Sequence, residues 1–236
     1  MNNVPSIKIF ADGAVLEDVP KLIAKGNLKG FTTNPTLMAK AGVKDYEGFA
    51  KKFLAAAHGL PVSLEVFADD LPNMTRQARI LASWGDNVFV KIPVTNTAGA
   101  TTREAIAQLS KEGVKLNVTA VFTKQQIDGL LPCFTDGVPA IISVFAGRIA
   151  DAGVDPQPIV RYAVEASKSK PAVEVLWASC REIFSVVRAA EVGCHIITVP
   201  NDMLKKLEMF GKDLGEISLD TVKMFYNDAT SSGFQL

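Results

Sequence analysis

Residues 88–122 read VFVKIPVTNTAGATTREAIAQLSKEGVKLNVTAVF. A short β-branched run at 88–94 gives way to a stretch of helical period, TTREAIAQLSKEG at 101–113. A second β-branched run follows at 116–122. Gly113 stands just past the last apolar-periodic residue, where a helix commonly ends in a left-handed cap. The stretch is one strand–helix–strand unit.

The same rhythm extends in both directions. The apolar runs IKIFAD, GFTTN and VSLEVFA come before it, and AIISVF, VEVLWAS and HIITVP come after it. Helical stretches lie between them, from LEDVPKLIAKGN at 16–27 to NDMLKKLEMFG at 201–211. Gly26, Gly59, Gly85 and Gly193 read as further helix ends, and Asp70, Thr123 and Asn201 as N-caps or their neighbours. Eight such units in 236 residues predict a single α/β domain, a (β/α)8 TIM barrel over 1–212. An additional amphipathic C-terminal helix, 213–236, extends the same domain and offers Met224, Phe225 and Tyr226 for a subunit contact. The alternative, an open doubly wound sheet, would usually bind a nucleotide through a glycine-rich first turn. Neither G-x-G-x-x-G nor G-x-x-x-x-G-K-[ST] is present.

Composition narrows the function. Lys plus Arg and Asp plus Glu number 25 each, so no net charge recruits nucleic acid or an anionic membrane. No apolar run reaches the length of a membrane helix, and the start, MNNVPSIKIFADG, lacks the apolar stretch of a signal peptide. Three widely spaced cysteines suit a reducing compartment, and two distant histidines make a His-rich metal site implausible. A cytoplasmic protein without bound metal is expected.

Barrel strands should be almost wholly apolar. Here they carry polar residues towards their C-terminal ends, the end at which barrel active sites sit. Asp12 ends the first run; Thr32, Thr33 and Asn34 end the second. Glu65 interrupts the third and Lys91 the fourth. Asn117 and Thr119 share one face of the fifth. Ser143 lies in the sixth with Phe145 two further on, and Ser179 and Arg181 follow the seventh. Singly, each has a structural reading. A strand-end Asp or Asn caps a helix, Arg148 and Arg181 form surface ion pairs, and Glu65 with Lys91 forms a buried salt bridge. Together they point to one site.

A lysine fixed on a strand suits Schiff-base chemistry, because a neutral amine attacks a ketone. An ordinary lysine, with a pKa of about 10.4, is neutral in only about one molecule in 2,000 at pH 7. Burial beside Val90 and Ile92 favours the neutral form, whereas Asp12 and Glu65 favour the ammonium. Once formed, an iminium withdraws electrons from the adjacent carbon–carbon bond. One carboxylate can take a hydroxyl proton while the other manages water. Asn34, Asn117 and Thr119 can orient hydroxyls, and Arg148, Ser179 and Arg181 can cradle a phosphate.

At these residues the chain resembles the transaldolase family. The matching pieces are FADG (10–13), GFTTNPTL (30–37), SLEVFA (63–68), VFVKIPVT (88–95), LNVTAVF (116–122), ISVFAGRIAD (142–151) and WASCRE (177–182). The resemblance implies a TIM barrel that uses no organic cofactor and no metal. It implies Lys91 as the Schiff-base lysine and Asp12 as the base at the bond that breaks. It implies Glu65 and Thr119 as holders of the catalytic water. Thr33, Asn34, Asn117, Ser143 and Phe145 would meet substrate, and Arg148, Ser179 and Arg181 its phosphate. Sugar phosphates would be the partners, with a homo-oligomer, in related chains often a decamer, as the assembly. A sister branch of similar length, the fructose-6-phosphate aldolases, carries Gln where this chain has Glu65 and Tyr where it has Phe145. Transfer of a dihydroxyacetone unit is therefore expected, with direct cleavage of fructose 6-phosphate as the alternative and a silent phosphosugar-binding protein as a third reading. Two departures stand out: Gly13 replaces a usual Thr, and Cys180 a common aromatic.

Overall fold

The structure is a computed structural model and describes residues 4–234. The first three residues of the chain and the last two of the 213–236 extension lie outside the described range. Eight parallel strands close into a barrel in sequence order, β1 (Lys8–Asp12), β2 (Leu28–Thr32), β3 (Val62–Glu65), β4 (Val88–Pro93), β5 (Leu116–Val121), β6 (Ala140–Val144), β7 (Val173–Trp177) and β8 (Ile196–Pro200), with β8 pairing back onto β1. The expected (β/α)8 architecture is the observed one.

The helices between them are α1 (Val19–Ala24), α2 (Pro35–Lys40), α3 (Tyr46–Ala56), α4 (Leu71–Ala82), α5 (Arg103–Lys111), α6 (Lys124–Leu130), α7 (Ala146–Asp151), α8 (Gln157–Ser167), α9 (Ser185–Glu191) and α10 (Asn201–Leu204). Local chemistry sets their starts. Asp70 accepts from the Asn73 backbone N–H to cap α4, and Thr123 with Gln126 forms a reciprocal capping box on α6. The short helices α2 and α7 are absent from the periodic pattern, because six residues give too few turns to register a period. Gly85 does not end a helix in the left-handed conformation. α4 stops at Ala82 and is capped by Ser83, and Gly85 is absent from the residues with positive φ.

Strand side chains alternate between two cores. Outward-facing residues such as Val90, Ile92, Val118, Ile142, Val175 and Ile197 pack under the helices in one continuous cluster. Each fully buried aliphatic side chain there contributes about 1.5–3 kcal/mol. Inward-facing Phe10, Ile141, Leu176, Ala178 and Ile196 form a separate cluster inside the barrel, with Phe89 and Phe145 against it. Gly30 is required by this inner packing. A Cβ on it would lie 2.5 Å from Phe10 Cζ.

The last helix, α11 (Leu214–Ser231), starts at an Asp213 N-cap and buries none of its residues. Val222, Phe225 and Tyr226 are among its exposed apolar side chains. Among the described residues no helix is long and apolar enough to cross a membrane.

Candidate active site

The C-terminal mouth of the barrel opens into a cavity of about 420 Å³. Asp12, Asn34, Glu65, Lys91, Asn117, Thr119, Ser143, Phe145, Arg148, Ser179 and Arg181 all line it. The strand register makes this convergence possible. Glu65 on β3 stands directly opposite Lys91 on β4, and Lys91 opposite Asn117 on β5.

Lys91 is 7 % exposed. Its Nζ donates to the Thr33 carbonyl at 2.8 Å and lies 3.0 Å from Glu65 Oε2. The Glu–Lys pair expected between neighbouring strands is therefore made, and one further acceptor completes the amine's surroundings. Glu65 is itself held through its backbone. The Tyr46 hydroxyl, reaching in from α3, donates to the Glu65 carbonyl at 3.2 Å and accepts from the Glu65 N–H at 3.1 Å. In a regular parallel ladder that N–H would point to the carbonyl of Thr33. The phenol takes its place where the Thr33 oxygen serves Lys91. Phe67 and Trp84 pack edge-on against the Tyr46 ring.

Asp12 sits deep on the cavity wall. Burial pushes its carboxyl above the usual range, opposed by a hydrogen bond from Thr32 and by the charge of Lys91; Glu65 adds to the rise. Thr32 Oγ1 donates to Asp12 Oδ1 at 2.7 Å and lies 2.6 Å from Thr198 Oγ1. A second buried chain crosses the barrel: Ser143 donates to Asn117 Oδ1 at 2.6 Å, and Asn117 Nδ2 donates to Ser63 at 2.9 Å.

Thr119 Oγ1 is buried and has no hydrogen-bond partner among the described residues. A buried hydroxyl of that kind calls for a water or a ligand group in the cavity. It precedes a break in the β5–β6 register, where Ala120 takes φ 58°. A non-glycine residue there costs on the order of 1–3 kcal/mol. The extra residue returns Val121 to the outer core while Thr119 and Ala120 stay on the cavity wall.

At the rim, the ion pair considered for Arg181 is made. Arg181 makes forked bonds to Asp151 of α7, with Nε 3.0 Å and Nη2 2.5 Å from Oδ2. Arg181 holds the Asp151 carboxyl below its ordinary range. Arg148 is exposed on the same helix. Ser179 has φ 63°. Its carbonyl crowds α7 so closely that a Cβ on Gly147 would overlap it. Gly147 is thus what lets the β7 loop and α7 meet at the rim. Asn34 lines the cavity and also caps α2, accepting from the Leu37 N–H at 2.9 Å.

Thr33 is the expected site residue whose side chain the fold turns away. Its hydroxyl donates to the Ser63 carbonyl, and it is absent from the cavity wall, where Thr32 stands instead. Neighbours on a strand face opposite ways, so Phe31 and Thr33 point to the outer core while Gly30, Thr32 and Asn34 point inward. Thr33 reaches the site only through its carbonyl. Ser63, Thr198, Tyr46 and Asp151 were not singled out from the sequence. Ser63 and Thr198 carry the same signal as Asn117 and Thr119, a polar side chain at an inward strand position. Tyr46 and Asp151 sit on helices, and only tertiary packing brings them in.

Among the described residues no group of three or more His, Cys, Asp or Glu is placed to hold a metal ion. The three cysteines are free, and burial raises the pKa of each, that of Cys194 to about 12.

Comparison with known proteins identifies the family. The family profile described as transaldolase/fructose-6-phosphate aldolase matches residues 9–235. The chain belongs to this family. A "Probable transaldolase" of Dehalococcoides mccartyi is 38 % identical over 202 residues, covering 85 % of this chain and 90 % of the relative. A "Probable transaldolase 2" of Listeria monocytogenes is 36 % identical over 209 residues, covering 85 % and 88 %. Among solved structures, one described as a putative lyase/mutase from Burkholderia cenocepacia aligns with a TM-score of 0.57 at 15 % identity, covering 98 % of this chain and 85 % of that one, which shows the fold alone. The relatives support an enzyme of the aldolase/transaldolase type.

Both departures from the transaldolase-family pattern have a structural counterpart. Gly13 leaves room that the Asn201 amide fills, with Nδ2 2.8 Å from where a Cβ would stand. Cys180 is buried, lines the cavity and directs its Sγ to the Glu182 carbonyl.

Proposed function

We propose that the protein is a transaldolase that moves a three-carbon dihydroxyacetone unit between sugar phosphates through a Schiff base on Lys91. Fructose 6-phosphate and sedoheptulose 7-phosphate would be donors, and glyceraldehyde 3-phosphate and erythrose 4-phosphate acceptors, as in the pentose phosphate pathway. The observation that carries this reading is a buried lysine in an open cavity with Glu65 in contact and Asp12 close enough to feel its charge.

The positions of the side chains support the following steps. Lys91 must lose a proton before it attacks, and Glu65 Oε2 at 3.0 Å is a carboxylate acceptor in contact with it. Attack on the ketose carbonyl gives a carbinolamine. Glu65, with the unpartnered Thr119 hydroxyl, is suited to hold the water that leaves. The iminium then accepts the electron pair of the neighbouring carbon–carbon bond as Asp12 takes the proton of the hydroxyl beyond it. A carboxyl whose proton affinity is raised by burial suits that task. The aldose departs, and the enamine awaits the acceptor aldehyde. Phe145 brings no hydroxyl to help water release the three-carbon unit, which supports transfer over free cleavage.

Phosphate would dock at the rim on Arg148, Ser179 and Arg181, with Arg181 giving up part of its fork to Asp151. A homo-oligomer belongs to the same proposal: the exposed apolar side chains of α11 favour burial against a second copy.

Borohydride reduction in the presence of fructose 6-phosphate, followed by peptide mass spectrometry, tests the reading. A reduced adduct on Lys91 is expected, and Lys91→Ala should lower turnover by more than about 1,000-fold. A fully active Lys91→Ala protein would overturn the mechanism. Release of dihydroxyacetone without an acceptor would move the assignment to the aldolase branch.

A further inference from the structure

The Asp12 carboxylate faces the cavity with a hydrogen-bonded support behind it. Thr32 Oγ1 lies 2.7 Å from Asp12 Oδ1 and 2.6 Å from Thr198 Oγ1. Thr32 and Thr198 are both 4 % exposed, and both line the cavity. The three side chains come from β2, β1 and β8, so the chain of bonds spans the seam where the barrel closes.

A hydroxyl carries one proton. Thr32 stands between two oxygens and can donate to one of them. An ionised carboxylate only accepts, so the Thr32 proton must go to Asp12 for that contact to be attractive. The Thr198–Thr32 contact then requires Thr198 to donate. The arrangement has one consistent direction, from Thr198 to Thr32 to Asp12. Without the Thr198 hydroxyl, Thr32 is free to rotate its proton away.

We infer that Thr198 is a positioning residue for the base. By donating to Thr32, it locks the Thr32 proton onto Asp12 and keeps that carboxyl ionised and aimed into the cavity. The inference rests on Asp12 acting as the base proposed above. Of the groups around Asp12, Lys91 on β4 favours the carboxylate and Glu65 on β3 opposes it. Burial opposes it most, so the hydroxyl relay acts against the largest destabilising influence. On the β8 side, Asn201 fills the space beside Gly13 and lies 3.5 Å from Asp18 Oδ2, so the relay is the hydroxyl-bearing support on that flank.

The test pairs Thr198→Val, which keeps the shape and removes the hydroxyl, with Thr198→Ser, which keeps the hydroxyl. Isotope-edited infrared bands of the aspartate carboxyls, assigned with Asp12→Asn, report the Asp12 titration without any turnover. The expected result is an upward move of the Asp12 titration by about one pH unit in Thr198→Val and its return in Thr198→Ser. In the transfer assay the acid limb of kcat should move the same way, with kcat at pH 6 reduced about 3- to 10-fold and KM within about twofold. Should valine disturb the fold, Thr198→Ala serves as the hydroxyl-free variant. An Asp12 titration unchanged in the hydroxyl-free variant overturns the inference, as does a kinetic loss that Thr198→Ser does not repair. Failure of the functional reading looks different: no Lys91 adduct forms in the wild type, while the infrared shift still reports the coupling.

Discussion

Two layers of the barrel interior lie two residues apart on the same strands and have opposite character. Phe10 gives way to Asp12 on β1, Phe89 to Lys91 on β4, Ile141 to Ser143 on β6, and Ile196 to Thr198 on β8. The deeper layer is a dry plug. The layer above it is a ring of polar groups, nearly all of them hydrogen-bonded, around an open cavity. A step of two along a strand keeps the face and advances roughly 6.6 Å. That distance is enough to pass from a packed core to a reaction chamber. The plug supplies rigidity and excludes water from below. The polar ring then operates in a confined space where each charge counts for more than it would in water.

If the layers are divided in this way, substitutions in the ring should cost activity, and substitutions in the plug should cost stability. After the loss of Lys91 itself, the largest effect is expected from Asp12→Asn. Activity should fall by about 100- to 10,000-fold, the usual range for losing a positioned base. Stability should move the other way. The folded protein binds the Asp12 proton more tightly than the unfolded chain does, so ionising Asp12 costs stability. That cost is absent well below the ordinary carboxyl value and grows as pH rises through the raised folded value. The melting temperature of Asp12→Asn should therefore equal that of the wild type in acid and match or exceed it at pH 7. A variant that melts lower at neutral pH would mean that Asp12 holds the barrel together as well as serving it.

Phe10→Ala tests the plug. Deleting a fully packed ring should cost about 3–5 kcal/mol in denaturant unfolding. Its effect on kcat, measured per folded molecule, should stay within a few-fold. A loss of activity as large as that of Asp12→Asn, with the fold intact, would show that the plug sets the geometry of the ring directly.

Tyr46→Phe sharpens the boundary. Tyr46 belongs to the helical shell yet bonds both backbone groups of Glu65. Losing the hydroxyl should cost about 1–3 kcal/mol of stability. It should also lower kcat several-fold while leaving KM nearly unchanged, because Glu65 shifts relative to Lys91. Thermal melting and steady-state kinetics read the two effects separately. A change in melting temperature alone would make Tyr46 purely structural.

The sequence was most legible where the chain's period and a residue's chemistry agree. Lys91 between Val90 and Ile92 stands out because a charge interrupts an apolar run, and the register does place it opposite Glu65. Thr33 misled because two adjacent threonines look alike in a string. Strand alternation separates them: Thr32 faces the cavity, and Thr33 contributes its carbonyl. Thr198 and Ser63 drew no notice because a single hydroxyl in a strand usually bonds backbone. Their importance comes from neighbours on other strands. Arg181 reads equally as a phosphate ligand or as half of an ion pair until α7 brings Asp151 alongside it.

The sequence by itself determined the alternation of strands and helices, hence the barrel, and the concentration of polar residues at one end of it. Both are consequences of local periodicity, which needs no knowledge of distant residues. Tertiary structure alone decided which hydroxyl meets which carboxylate, which face Thr32 and Thr33 present, and how Tyr46 replaces a rung of the ladder beside Lys91. Those contacts join residues 19 to 166 positions apart. Only the closure and stagger of the barrel brings such residues within hydrogen-bond reach.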